Sequence, residues 1–246
     1  MQRHRFYAPP SCRSDSHLML DAAEAHHLTR VLRLAEGARV FVFDGAGLEY
    51  ECEVTGVSKA AVDLAVISQL QNEVESPLHL TLGQALIKGD KFDLVVQKAT
   101  ELGITRIVPL LTDHSELRKS EERIENRLLR WRRIALEAVK QCGRRRLVEI
   151  TAPVSFAEFC QAEAAGKNLI LSERGGRSLR DAAALPGSVN QVSVCVASEG
   201  GWSEQELQTA GTHHFISVHL GARILRTETA AITTVSLAQH LFGDLR

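Results

Sequence analysis

Beyond Pro77 the sequence changes its period. Short apolar runs, LTLGQALI (80–87), ITRIVPLLT (104–112), NLILSE (168–173), QVSVCVAS (191–198) and FISVHLG (215–221), alternate with stretches whose apolar residues recur every three or four positions. Strands separated by helices imply a parallel sheet with helices on its faces, because a parallel neighbour is reached only through a long crossover. One helix is predicted over KFDLVVQKATELG, with Phe92, Val95, Val96, Ala99 and Leu102 on one face and Gly103 closing it. A long one is predicted over Glu121–Cys142, burying Ile124, Leu128, Trp131, Ala135, Ala138 and Cys142. SFAEFCQAEAAG (155–166) and ETAAITTVSLAQHLF (228–242) complete the set, the latter apolar on more than one face.

Before Pro77 the reading differs. RVFVFD, LEYECEVTGV and AAVDLAVI give three strands joined by tight turns at Gly45, Gly47 and their like. DAAEAHHLTRVLRL opens with Asp21 and Glu24 at capping-box spacing and continues as a short helix. Three or four twisted strands with one helix suggest a small barrel. The polar, aperiodic QNEVESPLH (71–79) marks the boundary, giving units 1–72 and 73–246.

Five scattered cysteines, never spaced CxxC, argue against a disulfide framework and a zinc site, and fit a reducing cytosol. MQRHRFYAPPS lacks the apolar core of a secretory signal, and no run of about eighteen apolar residues offers a membrane span. A cytoplasmic protein is expected, with no membrane and no metal. From Leu117 to Arg146 eleven Lys or Arg residues stand against four Glu, in a chain whose net charge is −1. Phosphate binding requires such a concentration of positive charge. The alternative is a solvated helix face, but Glu121–Glu125 and Arg123–Arg127 are like-charged at pairing distance, and Arg144-Arg145-Arg146 has no acidic neighbour in sequence. The N-terminal unit adds Arg3, Arg5, Arg30 and Arg33, although its acids outnumber its bases.

Ligands of parallel α/β sheets bind beyond the carboxyl ends of strands. Three such ends are unusual here: LSERGG, ASEGGW and LGARILRT. Gly200-Gly201 allow close backbone approach, and Ser203 with Glu206 is a capping box for the helix that follows. Arg223 and Arg226 lie where a plain strand-to-helix turn needs neither. No GxGxxG and no GxxxxGK[ST] is present, so a dinucleotide or P-loop site is unsupported.

In order, KATELG (98–103), EAVKQCGR (137–144), SEGGWSEQE (198–206) and LGARILRTETA (220–230) resemble the bacterial family that methylates N3 of a uridine in 16S ribosomal RNA. That family belongs to the SPOUT class of S-adenosylmethionine-dependent methyltransferases. HHLTRVLR (26–33) is similar to its N-terminal PUA-like RNA-binding barrel, so the resemblance spans the chain. Ala197-Ser198 stand where the family usually carries Gly-Pro.

The resemblance implies an α/β fold: a SPOUT-type parallel sheet with a C-terminal deep trefoil knot, plus a small PUA-like β-barrel. It implies S-adenosylmethionine held among three loops. Glu199, Gly200 and Gly201 match one, Leu220 and Gly221 the second, and Ile224, Leu225, Arg226, Thr227 and Thr229 the third, with Leu171 alongside. Arg226 would stabilise a developing uracil anion and Glu199 or Glu228 would accept the proton, although a carboxylate at a helix start is often only a cap. The implied partners are 16S rRNA or the 30S subunit, gripped by Arg3, Arg5, Arg30, Arg33, Arg144, Arg145 and Arg146, and a second copy in a homodimer. Three readings compete: a non-catalytic RNA-binding homologue, for which Ala197-Ser198 speaks; a SPOUT enzyme acting on tRNA; and an unrelated α/β enzyme.

Overall fold

The computed structural model describes residues 3–245 apart from 59, 72–73, 116–120, 164–165, 174 and 186–189; of 121–123 it describes the backbone alone. Arg118, Lys119 and the Arg123 side chain, part of the basic run, therefore lie outside the described residues. The chain divides into two compact units, Met1–Glu75 with Val139–Leu147, and Ser76–Ala138 with Val148–Arg246. A single cut near Pro77 does not describe this, because residues 139–147 return to the first unit.

In the first unit β1 (Arg5–Tyr7), β2 (Arg13–Ser14), β3 (His17–Leu20), β4 (Arg39–Phe43), β5 (Glu49–Val57) and β6 (Val62–Gln69) form one sheet in the order β1-β4-β5-β6-β3-β2. The expected meander is β4-β5-β6. Its first turn is set by Asp44, whose carboxylate accepts the N–H groups of Ala46, Gly47 and Leu48 at 2.8–3.0 Å, with Gly45 and Gly47 at φ +77° and +120°. β1 to β3, too short to show a period, are additions. Phe6, Leu20, Leu28, Val40, Val42, Tyr50 and Leu64 fill the core beneath the sheet. Asp21 caps α1 (Ala22–His26), which runs into one π-helical turn, His27–Val31. The capping box is only half made: Asp21 accepts the Glu24 N–H, while the Glu24 carboxylate pairs with Lys140.

Within residues 139–147 two of the three triplet arginines are enclosed. Arg144 and Arg145 are about 95 % buried. Arg144 pairs with Glu75 at 2.9 Å and Arg145 with Glu49 at 3.1 Å. Arg5 is equally enclosed, bonded to Glu49 at 2.6 Å and to the carbonyls of Val139, Lys140 and Arg144. A guanidinium so committed cannot be given to phosphate without leaving a buried carboxylate unpaired. Arg146 does remain exposed; its backbone N–H bonds Glu75, and its guanidinium lies against Gly47.

Burial alone would raise the pKa of Glu75. The Arg144 charge and the N–H groups of Arg145 and Arg146 outweigh it and hold the carboxyl below its ordinary value of 4.5. A depressed carboxyl stabilises the fold above its unfolded pKa, and this stability is lost as pH falls through the folded pKa. Urea unfolding across a pH series should show Glu75→Gln less stable than wild type near neutrality. The gap should narrow as pH falls below the ordinary carboxyl value of 4.5 and through the folded pKa beneath it; a gap independent of pH would show that the charge on Glu75 is irrelevant.

The second unit is a fully parallel sheet. β7 (His79–Ala85), β8 (Arg106–Leu111), β9 (Glu149–Ile150), β10 (Val154–Ser155), β11 (Lys167–Leu171), β12 (Arg177–Ser178), β13 (Gln191–Val196) and β14 (Ile216–His219) take the order β10-β8-β7-β13-β11-β14-β12, with β9 beside β8. The central strands β7, β8, β11 and β13 are buried on both faces, which explains their long apolar runs. Alternation sends Leu169 and Val194 into one core and their neighbours Ile170 and Cys195 into the other. The first core is closed by α2 (Lys91–Glu101), α3 (Glu121–Cys142) and α7 (Thr227–Phe242). Phe92 stacks on Trp131 at 4.2 Å, and the Trp131 indole donates to Asp93. Each such fully buried side chain contributes roughly 1.5–3 kcal/mol. The second core gathers around Phe156, Phe159, Trp202 and Phe215, from α4 (Phe156–Ala162), α6 (Glu204–Thr212) and their flanks. The short α5 (Leu179–Ala183) follows β12. Both α4 and α6 begin with complete capping boxes, Ser155–Glu158 and Ser203–Glu206.

Candidate active site

β13, β11 and β14 are adjacent and parallel, so the loops after them leave the sheet at one edge. Between these loops lies a cavity of about 710 Å³, within the range of small-molecule sites. Leu171, Ser172 and Glu173 line it from the first loop, Ala197 to Trp202 from the second, and Ile224 to Thr227 from the third. A smaller cavity of about 140 Å³ shares Leu171, Ile224 and Leu225 and adds Leu220, Gly221 and Arg223.

The loop after β13 is fixed at each end. The Thr227 hydroxyl donates to the Ala197 carbonyl at 2.5 Å and accepts from the Gln84 amide at 3.3 Å. The Ser198 hydroxyl donates to the His114 carbonyl at 3.2 Å, and Gly201 N–H closes a turn onto the Ser198 carbonyl. His114 Nδ1 lies 3.2 Å from the Gly201 carbonyl, and the Trp202 indole donates to the Leu171 carbonyl at 2.7 Å. A proline at 198 would lack that hydroxyl. Ser198 thus offsets by hydrogen bonding what Gly-Pro would supply as stiffness. Gly201 needs its φ of +72°, and Gly200 is glycine because a Cβ there would lie 2.6 Å from His114 Cβ.

Charge gathers at the rim. Lys91, the first residue of α2, bonds Glu199 at 2.8 Å and lies 3.9 Å from Glu228, attraction without a hydrogen bond. The bond to Glu199 raises the Lys91 pKa. Burial opposes the charge of Glu199, but that bond and the charges of Lys91 and Lys88 hold its carboxyl below the ordinary range. Arg226 occupies the N-cap of α7 without a side-chain capping bond and is exposed.

Of the expected site residues, Leu171, Glu199, Gly200, Gly201, Ile224, Leu225, Arg226 and Thr227 line the main cavity, and Leu220 and Gly221 the smaller one. Thr229 lines neither. It is exposed, because Thr227, Ala230 and Ala231 take the buried face of α7 and the helical period turns position 229 away. Glu228 is also absent from the lining. Lys91, Glu173 and Trp202 were missed. Lys91 had a usable signal, since it follows β7 at the same edge of the sheet. Among the described residues, no cluster of His, Cys, Asp or Glu could hold a metal ion, and no helix is long and apolar enough to cross a membrane.

The lining suits a particular ligand chemistry. Apolar walls from Leu171, Val196, Leu207, Leu225 and Ala230 accept a flat base, glycine-flanked backbone groups supply donors, and Glu173 and Glu199 face a positive charge.

Residues 74–239 match the family described as an RNA methyltransferase domain, and residues 20–67 match an RNA methyltransferase PUA domain. Ribosomal RNA small subunit methyltransferase E of Synechocystis is 35% identical over 96% of this chain and 76% of its own length. The Aquifex aeolicus protein of that name is 31% identical over 96% and 99%. The structure of the Neisseria gonorrhoeae ribosomal RNA small subunit methyltransferase E, bound to S-adenosylmethionine, superposes with a TM-score of 0.90 at 31% identity, with all of both chains covered. A Legionella pneumophila protein solved with the same cofactor gives 0.92 at 33%, again over both whole chains.

Proposed function

Because the chain belongs to the RNA methyltransferase family, with the PUA domain that accompanies it, we propose that it transfers a methyl group from S-adenosylmethionine to N3 of a uridine in 16S rRNA of the small ribosomal subunit. The observation that carries this reading is the three-loop cavity, whose size, apolar walls and rim carboxylates fit an adenosyl sulfonium. When bound, the cofactor supplies a methyl on a positive sulfur; its S–C bond breaks onto sulfur as the N3 electron pair forms the new N–C bond. The residues of this chain hold that ligand and manage the proton of N3–H. In this reading Glu199, a residue of the cavity lining, is the proton acceptor. Glu228, 3.9 Å behind Lys91, acts as a second counter-charge rather than the acceptor. Arg226, exposed at the rim, stabilises the uracil as charge develops.

The trefoil threading belongs to the same reading. It is supported by the path of the chain, which leaves β14 at the sheet edge and returns as α7 against β13 and β7, tied through Thr227 to the loop after β13. Of the arginines named from the sequence, Arg3, Arg30, Arg33 and Arg146 are exposed and are the proposed RNA contacts. A homodimer is part of the proposal, supported by Ile224, 81% exposed beside the cavity; light scattering at twice 27.1 kDa tests it.

Calorimetry with S-adenosylmethionine separates an enzyme from a non-catalytic homologue: saturable binding is expected, and none to a folded protein excludes catalysis. Loss of 3-methyluridine from 16S rRNA in a deletion strain tests the target. Gly200→Ala drives a methyl into His114 and should weaken cofactor affinity about tenfold, a cost on the order of 1.4 kcal/mol. Unchanged affinity would show that this loop does not hold the ligand.

A further inference from the structure

Uracil N3 lies between two carbonyl groups, so losing its proton spreads negative charge onto O2 and O4, one on each side. A single cation meets half of that demand. Arg226 and Lys91 line the same cavity, and the Arg226 charge is felt at Lys91. Among the described residues Arg226 has no hydrogen-bonding or ionic partner, which leaves its fork available. Lys91 is hydrogen-bonded to Glu199 of the β13 loop and is attracted, at 3.9 Å, by Glu228 of α7. The bond to Glu199 orients the ammonium at the rim and favours its charged form. Glu199 uses one of its three donors, and Glu228 lies beyond hydrogen-bonding distance.

We propose that Lys91 is a second catalytic cation, which with Arg226 brackets the target uracil so that each stabilises one of the two carbonyl oxygens as N3 gives up its proton. This rests on the uracil-N3 reading. The proton passes to Glu199 and then to solvent, and the N3 electron pair takes the methyl. Lys91 neither gains nor loses a proton. Its surroundings are Glu199, Glu228 and Arg226, with Lys88 acting on Glu199 and Glu173 in the same cavity lining.

The test is single-turnover methylation of unmodified 30S particles by Lys91→Met and Lys91→Arg across a pH series, with cofactor affinity measured by calorimetry on the same samples. At about pH 7 Lys91→Met should lose on the order of 10²-fold in rate, with cofactor affinity little changed. The deficit should narrow as pH rises towards the ionisation of uridine itself, because the lost cation is needed only to help N3–H ionise. Lys91→Arg should recover part of the rate. A deficit that stays constant with pH overturns the proposal, as does a loss of affinity that matches the loss of rate; either would make Lys91 a latch between α2 and the β13 loop. The wild-type product is identified first: a product other than 3-methyluridine refutes the function reading itself, before any variant is compared.

Discussion

Glu49→Ala will melt the N-terminal unit at temperatures the wild type survives. Glu49 is the shared partner of Arg5 and Arg145, at 2.6 and 3.1 Å, and all three side chains are less than 10% exposed. Removing one member of a buried ion pair leaves an uncompensated charge and costs roughly 3–5 kcal/mol. Here two guanidinium groups lose their shared carboxylate by one substitution and keep carbonyl oxygens as partners. For a unit of this size the midpoint should fall by roughly 12–40 °C. Glu51→Ala is the natural contrast, since its partner Arg39 is 67% exposed, and a surface pair contributes about 0–1 kcal/mol. Scanning calorimetry of the full chain distinguishes the two. Similar small losses from both variants would mean that the arginines are not structural and return them to the RNA-binding surface.

Arg226→Ala should separate chemistry from binding. If Arg226 acts on charge that appears only as N3 is deprotonated, its loss lowers the rate of methyl transfer by about 10²–10³-fold. Cofactor affinity should change by less than about tenfold, or 1.4 kcal/mol, because the loops are held by Thr227, Gln84, Ser198 and His114 rather than by this side chain. Single-turnover rates and calorimetric affinities together check this. Equal losses in both would make Arg226 a structural residue of the α7 start.

Local patterns reach some of this architecture and not the rest. The change of period at Pro77, the strands of the parallel sheet and the amphipathic face of α2 are local, and all are present in the structure. Most of the cavity lining lies in two of the ordered motifs, SEGGWSEQE and LGARILRTETA. What could not be read was whatever depends on distant pairing. Glu49 and Glu75 neutralise Arg145 and Arg144 from 96 and 69 positions away, so two of the three arginines in a run that looks like a phosphate grip in sequence form a buried staple. Lys91 and Glu199 stand 108 positions apart. The seating of Ser198 on His114 shows the same limit: read alone, Ala197-Ser198 looks like a weakened loop, and only the fold reveals what replaces the lost proline. Thr229 falls outside both cavities for the opposite reason. It lies inside the motif, but the period of α7 faces it to solvent.

The most direct test of the account is to incubate the purified protein with 30S particles lacking small-subunit methylation and S-adenosylmethionine labelled on its methyl, then digest the 16S rRNA to nucleosides. The label should appear in 3-methyluridine. Label in a ribose-methylated nucleoside, in tRNA alone, or in no nucleoside at all from a protein that binds the cofactor would contradict it.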